Sequence, residues 1–178
     1  MSILILYASV EGQTGKIVHH LARILRKRGL EAALVDVGER NAKVSYDGVS
    51  HVILAAPVHE RRHPKPFEVL LAADQEALTR LPVLMISVSL KAAFAQTREE
   101  AQDFLDEMKL RTGLAPDAEL LVAGAVHPQA YDYYADQIMR HVVLRGQKID
   151  PHSEHEFTDW DALDRDVLAF VESARTSA

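Results

Sequence analysis

The chain has 178 residues, 48% of them apolar and 26% charged, with a net charge of −6 and no cysteine. That length suits one domain, 1–178, able to bury about two-thirds of its unfolded surface, and the acidic balance argues against a nucleic-acid binder, which carries a basic face. The absence of cysteine excludes disulfides, thiol catalysis and iron–sulfur ligation, in keeping with a reducing cytoplasm.

The opening "MSILILYAS" has no basic stretch and too short an apolar run for a signal peptide, so "ILILYA" (3–8) reads as a buried first strand. Ile17, Leu21, Ile24 and Leu25 then follow the stripe of a helix lying on a sheet, closed by basic residues and Gly29. "EAALVDV" (31–37) and "HVILAAP" (51–57) predict the second and third strands, followed by a helix around 65–74 and a fourth strand, "PVLMISVS" (82–89). "TREE" (97–100) has the form of a capping box, opening a helix with Ala101, Phe104, Leu105 and Met108 on one face and ending at Thr112-Gly113. "ELLVAGAV" (119–126) predicts the fifth strand, and "TDWD" (158–161) opens a last helix with Leu163, Val167, Phe170 and Val171 inward.

Strands that are apolar throughout are covered on both faces, hence parallel and joined by crossover helices. The expected fold is therefore α/β, a five-stranded parallel sheet between two helical layers. Ligands then bind beyond the carboxyl ends of the strands, which singles out the loops 9–14, 57–66 and 87–96. The segment 127–157 is far longer than an ordinary β–α connection and reads as an insertion. It carries Tyr131, Tyr133 and Tyr134 with Ile138, Met139, Val142 and Val143, a partly amphipathic helical pattern. No apolar run approaches the roughly 18 residues that span a bilayer, which leaves at most peripheral contact with the inner face of the cell membrane.

The stretch "YASVEGQTGK" (7–16) has the look of a phosphate loop. A nucleoside-triphosphate loop needs glycine where Val10 stands and a hydroxyl where Ile17 stands, and the dinucleotide pattern needs a third glycine. What remains is Ser9, Val10, Glu11, Gly12, Gln13 and Thr14, a strand-to-helix turn. Its two hydroxyls and the helix N–H groups suit a phosphate monoester held by neutral donors, or else cap the helix with no ligand. No metal site is expected: His152 and His155 lack companion ligands, and the adjacent His19 and His20 point to different helix faces. A receiver-type acidic pocket is excluded by Ala8-Ser9 and Ala55-Ala56 at the strand ends.

This loop resembles that of the flavodoxins, which bind FMN. With "SVSL" (87–90), "GAVH" (124–127), "AYDYY" (130–134) and "FTDW" (157–160) in that order, nearly the whole chain resembles the menaquinone-dependent protoporphyrinogen IX dehydrogenases, flavodoxin-like enzymes of haem synthesis. The resemblance implies a flavodoxin-like three-layer α/β/α sandwich, FMN as cofactor, and an FMN phosphate on Ser9 to Thr14. Pro57, Val58 and His59 would face one side of the flavin ring, with Ser87, Val88, Ser89 and Leu90 along the other. The substrate would be a tetrapyrrole or a quinone, met by Arg61, Arg62, Tyr131, Tyr133 and Tyr134, with no single catalytic residue identified. His59 and His63 would flank the flavin as a proton relay. Arg61 stands where these relatives tend to have glycine, and Asp132 and Asp136 sit among the aromatics where relatives often carry a basic stretch. A flavodoxin-like electron carrier and an NAD(P)H:quinone reductase of the same fold are the alternatives.

Overall fold

The computed structural model describes residues 1–126 and 154–173. Strands β1 (Ser2–Tyr7), β2 (Glu31–Asp36), β3 (Val49–Pro57), β4 (Val83–Ser89) and β5 (Ala118–Ala123) form one sheet in the order β2-β1-β3-β4-β5. All four pairings are parallel. From β1 the chain goes outward to β2 and then crosses back to β3 on the other side, so the order reverses between β1 and β3. In an open α/β sheet that reversal opens the crevice at which ligands bind.

Alternation along the strands divides the core in two. Ile3, Ile5, Ile53, Ala55, Leu84 and Ile86 face helix α1 (Gln13–Lys27) and the last helix α5 (Trp160–Ser173). Leu4, Leu6, Leu54, Ala56 and Met85 face α2 (Lys65–Ala73) and α4 (Arg98–Thr112), with the short α3 (Gln75–Thr79) between them in sequence. Ile17, Leu21 and Leu25 of α1 are fully buried, as are Phe67 of α2 and Leu105 of α4. Each such side chain contributes about 1.5–3 kcal/mol by leaving water. Both faces of the sheet are covered, as the uniformly apolar strands require.

Two local expectations are corrected. The run 119–126 is not one strand. The chain leaves the parallel sheet at Gly124, and Ala125–Val126 (β6) pairs antiparallel with His155–Glu156 (β7). Thr97 does not close a capping box; its hydroxyl donates to Lys91 O at 2.8 Å, and the residues before α4 form 3-10 turns at Lys91–Ala93 and Ala95–Thr97. Lys16, more than half exposed, pairs with Glu156 of β7 at 2.8 Å. The last helix starts as expected: Asp159 Oδ1 accepts from Ala162 N at 3.0 Å.

Candidate functional site

At the carboxyl end of β1 the chain turns over Ser9–Gly12 into α1. Gly12 sits at φ 96°, a left-handed conformation that glycine adopts freely, and its carbonyl accepts from Lys16 N at 2.9 Å. A side chain at Gly12 would project into open space, so nothing of the protein fills the hollow beside it. Gly15 N donates to Ser9 Oγ at 3.3 Å, and Thr14 is buried at the start of the helix. No acidic residue lies in the first turn of α1, so the positive end of the helix dipole is unopposed from within. The Gln13 side chain turns away from the hollow: Nε2 donates to Glu156 Oε1 and to Thr158 Oγ1, both at 2.9 Å. Thr158 in turn donates to Ala123 O at 2.7 Å, fastening α1 to the end of β5.

The loop after β3 reaches toward this hollow. Val58 N donates to Val88 O at 2.8 Å, and His59 Nδ1 lies 3.4 Å from Glu11 Oε1, tying the second loop to the first. His59 and Arg62 exchange both backbone hydrogen bonds, at 2.9 and 3.0 Å, so Glu60 and Arg61 are the centre of a two-residue turn. Their φ angles are 48° and 67°. Such a turn needs positive φ at both positions and ordinarily uses Asn-Gly. Two L-residues with full side chains hold it here, at a cost of about 1–2 kcal/mol each.

What offsets that cost is visible beneath the turn. Glu68 of α2, 7% exposed, accepts from Arg62 at 2.9 Å and from Arg111 of α4 at 2.7 Å. Burial alone pushes the Glu68 carboxyl up, but the hydrogen bonds and charges of Arg111 and Arg62 together outweigh it and hold it below the usual carboxylate range. Arg61 points elsewhere: its guanidinium carbon lies 5.7 Å from the centre of the Phe104 ring. His63 is 2% exposed, with Nε2 2.9 Å from Ser87 Oγ and no partner for Nδ1. Burial drives its pKa down to about 4, with the Arg111 charge acting in the same direction and Glu68 opposing. Burial thus disfavours the charged form of His63, and His59 alone of the pair is exposed.

The third loop follows β4. Ser87, Val88 and Ser89 are buried, and Ser89 Oγ accepts from Ala92 N at 3.2 Å, shaping the turn that Leu90 begins. Phe94 meets Phe157 edge to face at 5.4 Å, across the gap to the segment that returns beside β6. The three predicted loops thus meet at the carboxyl-terminal edge of the sheet, bringing Ser9–Thr14, Pro57–His59 and Ser87–Leu90 together. Tyr131, Tyr133 and Tyr134 lie outside the described residues. Sequence reasoning missed the pairs Glu11–His59, His63–Ser87 and Gln13–Thr158, whose members are far apart in the chain and carry no spacing signal. Among the described residues no group of three or more metal-ligating side chains is placed to hold an ion.

A cleft of about 660 Å³ lies apart from this edge, lined by Lys16, His19, His20 and Arg23 of α1 and Trp160 of α5. Both neighbouring histidines reach it. Lys16 is matched there by Glu156, and the His20 ring by Asp164 at 2.6 Å.

The flavodoxin domain family matches residues 4–152, and the chain belongs to that family. Its cofactor is FMN, and the hollow fits a phosphate monoester: backbone N–H groups, Ser9 and Thr14 beside Gly12, without a cation. More particularly, the chain is 27% identical over 170 residues to the protoporphyrinogen IX dehydrogenase [quinone] of Escherichia coli strain K12, covering 92% of this chain and 91% of that one. Among solved structures it resembles oxidised flavodoxin 1 from Bacillus cereus, with TM-score 0.52 and 21% identity over 70% of this chain and 85% of that one. It also resembles a flavodoxin, WrbA-like protein from Agrobacterium tumefaciens, with TM-score 0.50 and 12% identity over 98% and 96% of the two chains. These structural likenesses bear on the fold, which is flavodoxin-like.

Proposed function

We propose that the chain is an FMN-dependent oxidoreductase that oxidises protoporphyrinogen IX to protoporphyrin IX and reduces a quinone. The observation that carries this reading is the extent of likeness to the Escherichia coli dehydrogenase. It runs at 27% identity over 92% of this chain and 91% of that one, whereas the solved flavodoxins reported above share 21% or less.

Ser9 Oγ, Thr14 Oγ1 and the first N–H groups of α1 would hold the FMN phosphate, with Gly12 letting the backbone come close. Pro57, Val58 and His59 on one side and Ser87 to Leu90 on the other would orient the ring. The two-residue turn, clipped down by Glu68, keeps the β3 loop in place. Bound FMN supplies a two-electron relay between a donor and an acceptor. Each round removes two electrons and two protons from the macrocycle and delivers the same to the quinone, giving quinol. The residues contribute orientation rather than a nucleophile. Buried His63 supports Ser87 through Nε2. Arg61, Tyr131, Tyr133 and Tyr134 are the proposed substrate contacts, the expected Arg62 being committed to Glu68 instead, and a peripheral position at the inner face of the membrane would suit a quinone acceptor. No described helix is long and apolar enough to cross a membrane.

The test is an anaerobic assay of FMN-reconstituted protein with protoporphyrinogen IX and a menaquinone analogue, followed by porphyrin fluorescence. A quinone-dependent rise above the protein-free rate is expected. Flavin-loaded protein that gives no rise would overturn the substrate assignment and leave the electron carrier or the NAD(P)H:quinone reductase.

A further inference from the structure

Arg61, Arg62 and Lys91 stand on the loops that follow β3 and β4, and the three cations are not alike. Arg62 is committed to Glu68 at 2.9 Å. Lys91 is committed to Glu100. Arg61 is exposed and makes no ion pair among the described residues. Its backbone is left-handed at φ 67°, a conformation in which a β-carbon is a liability and glycine would be at ease. Its guanidinium is nevertheless not loose in solvent: it lies 5.7 Å from the centre of the Phe104 ring, and the Lys91 ammonium lies 5.9 Å from the same centre. Two cations converge on one ring that is itself 4% exposed, and only one of them has an acid partner among the described residues. Among the described residues Arg61 therefore has no ion-pair partner, although the exposed Glu60 precedes it on the same turn.

We infer that Arg61 is a specificity residue, placed to bind a carboxylate of the substrate. This rests on the tetrapyrrole reading above, whose macrocycle bears acidic side chains. A guanidinium suits that role because its planar fork meets a carboxylate with two parallel hydrogen bonds, and its flat face can rest on an aromatic ring meanwhile. The turn spends stability at Arg61 for a side chain that the turn itself does not need. Arg62, by contrast, is a clip on the loop. The two adjacent arginines thus divide into one that holds the protein together and one that is offered to a ligand.

The experiment is a binding titration of FMN-loaded protein with mesoporphyrin, a stable fluorescent dicarboxylate, and with its dimethyl ester, in wild type, Arg61→Gly and Arg61→Lys. Wild type should prefer the acid to the ester. Arg61→Gly should weaken acid binding about tenfold or more, as expected for a charge-assisted pair, and leave the ester unchanged. Arg61→Lys should fall between. Thermal melting should show Arg61→Gly to be the more stable protein by about 2–4 °C, so that weaker binding is not the result of misfolding. Equal acid binding by wild type and Arg61→Gly would overturn the assignment and leave the tetrapyrrole reading standing. Loss of reduction by NADPH in Arg61→Gly, with porphyrin binding unchanged, would also overturn it, in favour of a nucleotide phosphate as the anion. A wild type that binds neither acid nor ester would overturn both readings together.

Discussion

A single methyl at Gly12 tests the phosphate hollow directly. Alanine there is placed at φ 96°, and its β-carbon points into the open space beside the helix start. We expect Gly12→Ala to cost about 1–2 kcal/mol in urea unfolding of the FMN-free protein. The larger effect should be on FMN affinity, with the dissociation constant raised at least about tenfold in a flavin-fluorescence titration. An unchanged FMN affinity would move the phosphate elsewhere. His63 makes a second prediction, this time in pH. Its folded pKa of about 4 lies below the unfolded value of 6.5, so the unfolded chain binds an extra proton between them. Stability is then complete above pH 6.5 and declines as pH falls toward 4, by about 3 kcal/mol in all. Urea midpoints measured across that window should slope in wild type and flatten in His63→Gln. Glu68 adds to acid lability in the same direction but at lower pH, because its carboxyl is held below the ordinary range and its contribution is lost only as pH falls through that lowered value.

Among elements, the clip between α2, α4 and the β3 turn is the one most open to attack. Glu68→Gln removes the charge that Arg62 and Arg111 share. About 1–3 kcal/mol of stability should be lost, since Arg62 is largely exposed and discounts its share. Amide exchange at 58–62 should accelerate by more than the global change explains, because two left-handed residues lose their support. Exchange that rises uniformly would argue against the clip. This turn also marks the limit of what the sequence discloses. The strands are legible because Ile3–Leu6, Val52–Ala56 and Val83–Ile86 are apolar at every position, and α1 because its buried residues recur at helical spacing. The candidate phosphate loop stands out because Ser9, Gly12 and Thr14 are close together in the chain. The turn is not, since Glu60-Arg61 lacks the Asn or Gly that announces one. Nor is the break at Gly124, where the composition stays apolar and only the pairing partner changes. Thr97 and Glu100 have the right spacing for a capping box, but a carbonyl at Lys91 takes the hydroxyl first. Gln13 has the place of a phosphate contact, yet Glu156 and Thr158 take its side chain from more than 140 residues away.

On the scale of the whole molecule, the two helices that share one face of the sheet carry opposite charge. α1 has Lys16, Arg23, Arg26 and Lys27 and no acid, while α5 has Asp161, Asp164, Asp166 and Glu172 against Arg165. They meet at His20–Asp164 and, just past the end of α1, at Arg28–Glu172, while Lys16 is met by Glu156 of β7. The same architecture has a further outcome at β6 and β7. Val126 and His155 are register partners in an antiparallel pair, so the chain departs and returns at neighbouring points. Joining them through Asn-Gly, in place of residues 127–154, asks only for an ordinary hairpin. We expect that shortened protein to fold and to bind FMN within about tenfold of the parent, with porphyrinogen oxidation abolished; loss of FMN binding would refute the separation. Because the excursion starts and ends at a closed seam, its length and content can drift at little entropic cost to the sheet. A lineage could therefore rewrite that stretch while inheriting the parallel sheet and its three loops intact.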